Sequence, residues 1–223
     1  MRHRQVLVIL DYNGTIVEHN KVEVESEVFK GLMDIKSKVP VKFLIVTGRP
    51  QELVDKKIMY VADYIAFEDG AYIIDSSGRI VFEYHNTLWN VIKESFIDVL
   101  GKPLFNCKVI LVYPLRLKRR IQMLTVKLKV EDIVRVAINR DKVIVEPREI
   151  GKGFAIKYVI ELLNPVKIIG CGDGEIDIEI FKHSHIKIAP YNACRKVKNL
   201  ADIIADKPNG VGIIDCLRKI LLV

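Results

Sequence analysis

Five side chains in this 223-residue sequence have the types that phosphoryl transfer through an aspartyl-phosphate requires: Asp11, Thr47, Lys152, Asp173 and Asp177. A carboxylate at neutral pH is already deprotonated, so Asp11 can attack phosphorus in line without prior activation. A hard divalent cation must offset the repulsion between that carboxylate and the phosphate. Mg²⁺ fits, because it takes oxygen ligands in octahedral geometry and tolerates several waters. Asp11 and Asp173 would offer it side-chain oxygens, and Asn13 its backbone carbonyl. The Thr47 hydroxyl and the Lys152 ammonium would hold the phosphoryl oxygens. That hydrogen bond and that charge strengthen as negative charge spreads in the transition state.

These residues need elements that bring them to one place. Val6-Leu7-Val8-Ile9-Leu10 is aliphatic without alternation, as in a strand buried on both faces of a parallel sheet. It ends at Asp11, and Asn13-Gly14 follows as a turn pair that accepts positive φ. Val41–Val46 repeats the pattern and ends in Thr47-Gly48-Arg49-Pro50, with Pro50 opening a helix expected through Lys57. Val166–Ile169 leads to the acidic loop Gly172-Asp173-Gly174-Glu175-Ile176-Asp177. Gly151 precedes a helix through Leu163 with Lys152 in its first turn. A helix from Ser26 to Lys38 follows the first strand. Open α/β sheets place their ligands at the carboxyl ends of such strands.

Between Tyr84 and Arg148 the alternation stops. The pattern there predicts a helix over Thr87–Leu100, strands near Cys107–Tyr113 and Ile121–Val130, a helix over Glu131–Asn139, and a strand from Lys142 to Val145. The fold class expected is α/β, a Rossmann-like three-layer core of residues 1–83 and 149–223, with a small α+β lid inserted over residues 84–148.

The formal charge of +7 is concentrated in the lid. Arg79 to Glu149 holds 14 Lys/Arg against 8 Asp/Glu, which suits a small anionic partner or, equally, a solvated Lys-rich surface. Arg116, Lys118, Arg119 and Arg120 are its densest part and read first as a charged strand edge. They lack interleaved aromatics, so nucleic acid is not an expected partner. The start, Met1-Arg2-His3-Arg4 and a short apolar run, does not resemble a secretory leader. No stretch has the length of a membrane span, and the four cysteines are scattered without paired spacing. A cytoplasmic setting is expected, and an exposed apolar lid face leaves room for a homodimer.

Other phosphate motifs fit poorly. A P-loop would need Gly at Glu146 and Ser/Thr at Gly153. A dinucleotide fingerprint over Gly170–Glu175 would need Gly at Glu175. An EF-hand would need Gly at Ile178.

The ordered set Asp-x-Asn-Gly-Thr, Thr-Gly-Arg-Pro, Gly-Lys-Gly and Gly-Asp-Gly-Glu-x-Asp resembles the haloacid dehalogenase superfamily of phosphatases. The lid position resembles the type IIB, Cof-like branch, and the compact lid is most similar in pattern to archaeal phosphoglycolate phosphatases. Glu68-Asp69-Gly70-Ala71, near the family's Glu-Asn-Gly-Ala, supports it, as do Asn192-Ala193 and Gly210-Val211-Gly212. The resemblance implies a mobile lid, Mg²⁺, Asp11 as nucleophile and Asp173 as metal ligand. It further implies Asp177 near a metal-bound water, and phosphate bound by Thr47, Gly48 and Lys152. The activity implied is hydrolysis of a small phosphate monoester, 2-phosphoglycolate being the leading candidate.

Two positions depart from the family pattern. Asn13 replaces the Asp that protonates the leaving alkoxide, and Asn cannot exchange a proton at neutral pH. Ile176 replaces an Asn. The first departure leaves several readings open: a slowed enzyme or phospho-metabolite binder, a surrogate such as water or His19, deamidation at Asn13-Gly14, or a deliberate trapping substitution. A phosphomutase or sugar-phosphate phosphatase of the same branch is a further alternative.

Overall fold

The computed structural model describes residues 5–222; the basic start Met1–Arg4 and Val223 lie outside the described residues. In chain order, β1 (Val6–Asp11), α1 (Ser26–Lys38), β2 (Val41–Val46), α2 (Ile58–Val61), β3 (Tyr64–Phe67), β4 (Tyr72–Asp75) and β5 (Ile80–Glu83) form the first half of the core. The lid follows as α3 (Thr87–Leu100), β6 (Leu111–Pro114), α4 (Lys118–Lys127), β7 (Val134–Asn139) and β8 (Lys142–Pro147). The chain then returns through α5 (Lys152–Leu163), β9 (Lys167–Cys171), α6 (Ile178–Lys182), β10 (Ile186–Ala189), α7 (Arg195–Lys198), β11 (Ile203–Ile204) and α8 (Asn209–Leu221).

The large sheet has the order β11-β10-β9-β1-β2-β3-β4-β5, and the lid sheet the order β6-β8-β7. From β11 to β3 neighbouring strands are parallel, while β4 and β5 are added antiparallel. β1 is central: the chain builds outward through β2 and β3, then returns on β1's other side as β9. Ligands of open α/β sheets gather at such a reversal. The register decides what meets there. Asp11 pairs with Val46 and Leu10 with Cys171, so Thr47 and Asp173 follow their strands at the level of Asp11.

Side chains on the two faces of β1 feed two apolar layers. Val8 and Leu10 pack with Val28, Leu32 and Ile35 of α1 and with Ile213 and Leu217 of α8. Leu7 and Ile9 pack with Ile156 and Val159 of α5 and Phe181 of α6. Burying each such side chain is worth roughly 1.5–3 kcal/mol, which is why an unbroken aliphatic run forms the middle strand.

The lid's pattern differs from the reading of its sequence. Ile121–Val130, expected as a strand, lies largely in α4, and Glu131–Asn139, expected as a helix, contains β7. Leu124, Val126, Leu128 and Val130 alternate with polar or hydroxyl residues, but Val126 faces solvent. The buried set is Ile121, Leu124 and Thr125, spaced three and four apart as a helix face demands. Val134, Val136 and Ile138 alternate in β7 and pair with β8 instead. The basic cluster therefore lies at the start of α4, not on a strand edge.

Two smaller differences have local causes. Residues 108–110 are not in β6, because their amides donate to the Glu68 carboxylate rather than to a strand. The helix expected after Pro50 is only a 3₁₀ turn, Gln51–Leu53, followed by extended Val54. There the Asp55 carboxylate accepts from the amides of Val24 and Lys57 and opens a separate α2. α7 begins only at Arg195, and the Asn192 side chain ahead of it is used in tertiary contacts. Trp89 and Phe96 are buried in the lid and pack it.

Candidate active site

Asp11, Asn13, Thr47, Gly48, Lys152, Asp173 and Asp177 all line one cleft of about 610 Å³ at the carboxyl ends of β1, β2 and β9. Lys152 reaches it from the first turn of α5. Its buried Nζ donates to Asp11 Oδ1 at 2.5 Å and to Asp177 Oδ1 at 2.7 Å. Asp177 Oδ2 accepts the amides of Asp173 at 3.0 Å and Gly174 at 2.8 Å, so the acidic loop is wound around this carboxylate. A Cβ at Gly172 would collide with Asp177, which accounts for glycine beside Asp173.

The loop after β1 is held as firmly. Gly14 sits at φ +85°, and its carbonyl accepts from Asn192 Nδ2 at 2.8 Å. Asn192 Oδ1 in turn accepts the amide of Asn209 at 2.7 Å. Thr47 Oγ1 accepts the Arg49 amide at 3.1 Å, which leaves its hydroxyl proton available to the cleft. Arg49 braces the scaffold: its guanidinium donates to the carbonyls of Leu53 and His19.

Asp11, Asp173 and Asp177 are all buried, and each offers an oxygen within 4.8 Å of the others. Asp11 Oδ2 is buried without a hydrogen-bond partner among the described residues. Burial pushes the Asp11 carboxyl well above the ordinary carboxylate range, Asp177 and Asp173 add to the rise, and Lys152 opposes it. Burial by itself would lower the Lys152 ammonium, but Asp11, Asp177 and Asp69 outweigh it and hold its pKa well above the usual value. The cluster is thus richer in acid than one ammonium can neutralise. A hard cation held by these oxygens would favour ionised carboxylates, and the orphaned Asp11 oxygen fits that purpose.

The structure also places groups here that sequence reading missed or weighted lightly. His19 Nε2 lies 3.0 Å from Asp173 Oδ2, and its ring packs where a Cβ at Gly14 would have to go. Arg140 Nη2 donates to the same Asp173 oxygen at 2.9 Å. Arg140 and its neighbours Asn139, Asp141 and Lys142 form the β7–β8 turn, which lines the cleft opposite the strand ends. Arg140 has φ +57° there. The available signal was the polar run Asn139-Arg140-Asp141-Lys142 between two β-branched stretches, a hairpin pattern. Asp69, noted in the sequence only as part of Glu68-Asp69-Gly70-Ala71, is buried on the cleft wall with Oδ1 unpartnered among the described residues. Neither Arg116 nor any other member of the α4 cluster is in the lining, and Arg120 donates to the Val99 carbonyl instead. Ile176 does line the cleft.

Known proteins are similar to this chain in sequence and in fold. Residues 108–217 match the family described as haloacid dehalogenase-like hydrolase. The chain is 27% identical over 227 residues to "Phosphoglycolate phosphatase 2" of Saccharolobus solfataricus, covering 97% of this chain and 93% of that protein. Among solved structures, a Thermoplasma acidophilum protein superposes with a TM-score of 0.81 at 16% identity, covering 99% of this chain and 100% of that one. A sugar phosphatase of haloacid dehalogenase subclass IIB superposes with a TM-score of 0.74 at 15% identity, covering 98% of this chain and 100% of its own. With the four motifs in order around one cleft and a lid sheet inserted after the second, the chain is similar in fold and in its matched segment to the haloacid dehalogenase-like hydrolases.

Proposed function

We propose that this protein hydrolyses a small phosphate monoester through an aspartyl-phosphate on Asp11, with 2-phosphoglycolate as the leading candidate. The observation that carries this reading is the buried convergence of Asp11, Asp173 and Asp177 on Lys152 at one sheet edge. The name of the S. solfataricus relative supports the choice of ester.

In this reading Asp11, Asp173 and the Asn13 carbonyl would hold Mg²⁺, with Asp177 close by. Bound there, a divalent cation would offset the charge between nucleophile and phosphate. An Asp11 oxygen forms a bond to phosphorus as the ester oxygen leaves; Lys152 and the Thr47 hydroxyl hold the phosphoryl oxygens, and the Gly48 backbone borders them. Water then cleaves the acyl phosphate, which regenerates Asp11 and releases phosphate. Asn13 cannot give a proton to the departing alkoxide, so the leaving group takes it from solvent. Residues 84–148 act as the lid that closes over the ester.

Phosphate release from a panel of esters, with and without Mg²⁺, tests the reading. Mg²⁺-dependent release that is lost in Asp11→Ala is the expected outcome. Equal activity in the variant overturns it. Asn13 favours one second reading, a phospho-metabolite binder, which would bind esters without releasing phosphate.

A further inference from the structure

The lid presents a charge pattern to the cleft that bears on the end of the ester that is not transferred. Its contribution to the lining is Phe105, Val112 and Ile144, which are apolar, and the turn Asn139–Lys142. The charged groups of that turn are Arg140, Asp141 and Lys142. Asp141 is 80% exposed and lies 3.5 Å from Lys142 Nζ, which offsets its charge. Lys142 Nζ also lies 5.9 Å from the centre of the Phe105 ring. The guanidinium of Arg140 reaches furthest, contacting the core at Asp173 Oδ2.

Resting on the phosphatase reading, we infer that Arg140, seconded by Lys142, recognises an anionic group on the ester's leaving end. The substrate is then a short phosphorylated acid rather than a neutral alcohol phosphate or a sugar phosphate. Three observations converge on this. Arg140 already bonds a carboxylate oxygen of Asp173, which lies in the cluster around Asp11, so it stands within a few bonds of where the ester oxygen must sit. Its side chain is 51% exposed and, among the described residues, is fixed by that single ion pair, so it can turn to a substrate carboxylate at small cost. An Arg–carboxylate pair gains from two parallel hydrogen bonds, which a hydroxyl cannot match. Finally, the apolar remainder of the lid wall offers little to a ring of sugar hydroxyls, which would need partners on desolvation. The dense α4 cluster does not line the cleft and so acts on the ligand only through its long-range field.

The test is a charge series of two-carbon esters: 2-phosphoglycolate, ethyl phosphate and phosphoethanolamine. Phosphate release is followed for the wild type, Arg140→Ala, Arg140→Lys and Lys142→Ala. The readout is the ratio of kcat/KM for 2-phosphoglycolate to that for ethyl phosphate. Any change at Asp173 common to both esters cancels in this ratio. The wild type should prefer the glycolate ester and disfavour phosphoethanolamine. Arg140→Ala should lower the ratio by roughly 10- to 100-fold, the range of a charged hydrogen bond. Lys142→Ala should lower it less, and Arg140→Lys should restore part of it. A wild-type ratio near unity, or a ratio unmoved in Arg140→Ala, overturns the inference while leaving the phosphatase reading intact. If no ester is hydrolysed, the phosphatase reading fails, and calorimetric binding of 2-phosphoglycolate against inorganic phosphate decides this inference. Selective weakening of the former in Arg140→Ala supports it, and equal weakening of both or none overturns it.

Discussion

Arg140 on the lid and His19 on the core share one acceptor, Asp173 Oδ2, at 2.9 and 3.0 Å. In the proposed mechanism the same carboxylate would bind a metal alongside Asp11, so the lid cation and a metal ion would compete for its lone pairs. Removing the guanidinium removes both the competitor and a like charge. Arg140→Ala should therefore bind Mg²⁺ or Mn²⁺ more tightly, by roughly two- to fivefold for a half-exposed pair. The difference should shrink as salt is added. Titration calorimetry of the ester-free protein measures it, and weaker metal binding in the variant contradicts it.

Asn13 lines the same cleft as Asp11, Thr47, Lys152 and Asp173, and its Nδ2 is buried without a partner among the described residues. What it lacks is a transferable proton. Asn13→Asp should raise turnover of alkyl phosphates by roughly 10²–10⁴, the usual worth of a positioned acid–base group. Aryl phosphates, whose leaving groups need no proton, should gain far less. Comparing ethyl and p-nitrophenyl phosphate in both proteins checks this, and equal gains on the two esters rule it out.

Much of the core was legible in the sequence because its strands are buried on both faces. Nothing but apolar residues survives at Val6–Leu10 or Phe43–Val46, and the chemistry begins where those runs end. Convergence at one edge then follows from parallel register, so Asp11, Thr47 and Asp173 could be placed together before any geometry was known. The lid was harder because its elements are one-sided. In α4, partly exposed apolar residues at 126 and 128 imitated the alternation of a strand, while the face that is buried, Ile121 with Leu124 and Thr125, is too short to stand out. Misreading β7 as a helix removed the hairpin, and with it Arg140 and Lys142. The tie between Arg140 and Asp173 spans 33 residues and two sheets, and no local pattern signals it.

Glu68 holds lid to core. It is fully buried, and its carboxylate accepts the amides of Lys108, Val109 and Ile110 at 2.8, 2.8 and 3.3 Å. Burial raises its pKa, and those three amides oppose the rise. Glu68→Ala would leave three donors in the interior without this acceptor, each costing about 1–3 kcal/mol. We expect a loss of at least about 3 kcal/mol, a fall of roughly 6–12 °C in Tm for a chain of this size. Thermal unfolding followed by circular dichroism tests this; a shift within a degree of wild type would show that the lid is held by other contacts.

Glu146, at the end of β8, is buried with Oε1 accepting from Arg135 Nε at 2.9 Å and Oε2 unpartnered among the described residues. Burial pushes its carboxyl up to about 8; Asp69 adds to the rise, and Arg135 and Lys152 oppose it. The unfolded chain releases this proton near its ordinary 4.5, whereas the folded protein keeps it to about 8. Between those values the folded state binds more protons than the unfolded one, so stability contributed by the neutral acid is present at low pH and lost as pH rises. Asp69 and Asp11, both raised chiefly by burial, push in the same direction. Glu146→Gln keeps an acceptor for Arg135 but cannot ionise. Urea unfolding in chelator-containing buffer at about pH 5 and about pH 8 should therefore show a smaller loss of stability in the variant than in the wild type. An equal or larger loss in the variant would place the proton on another group.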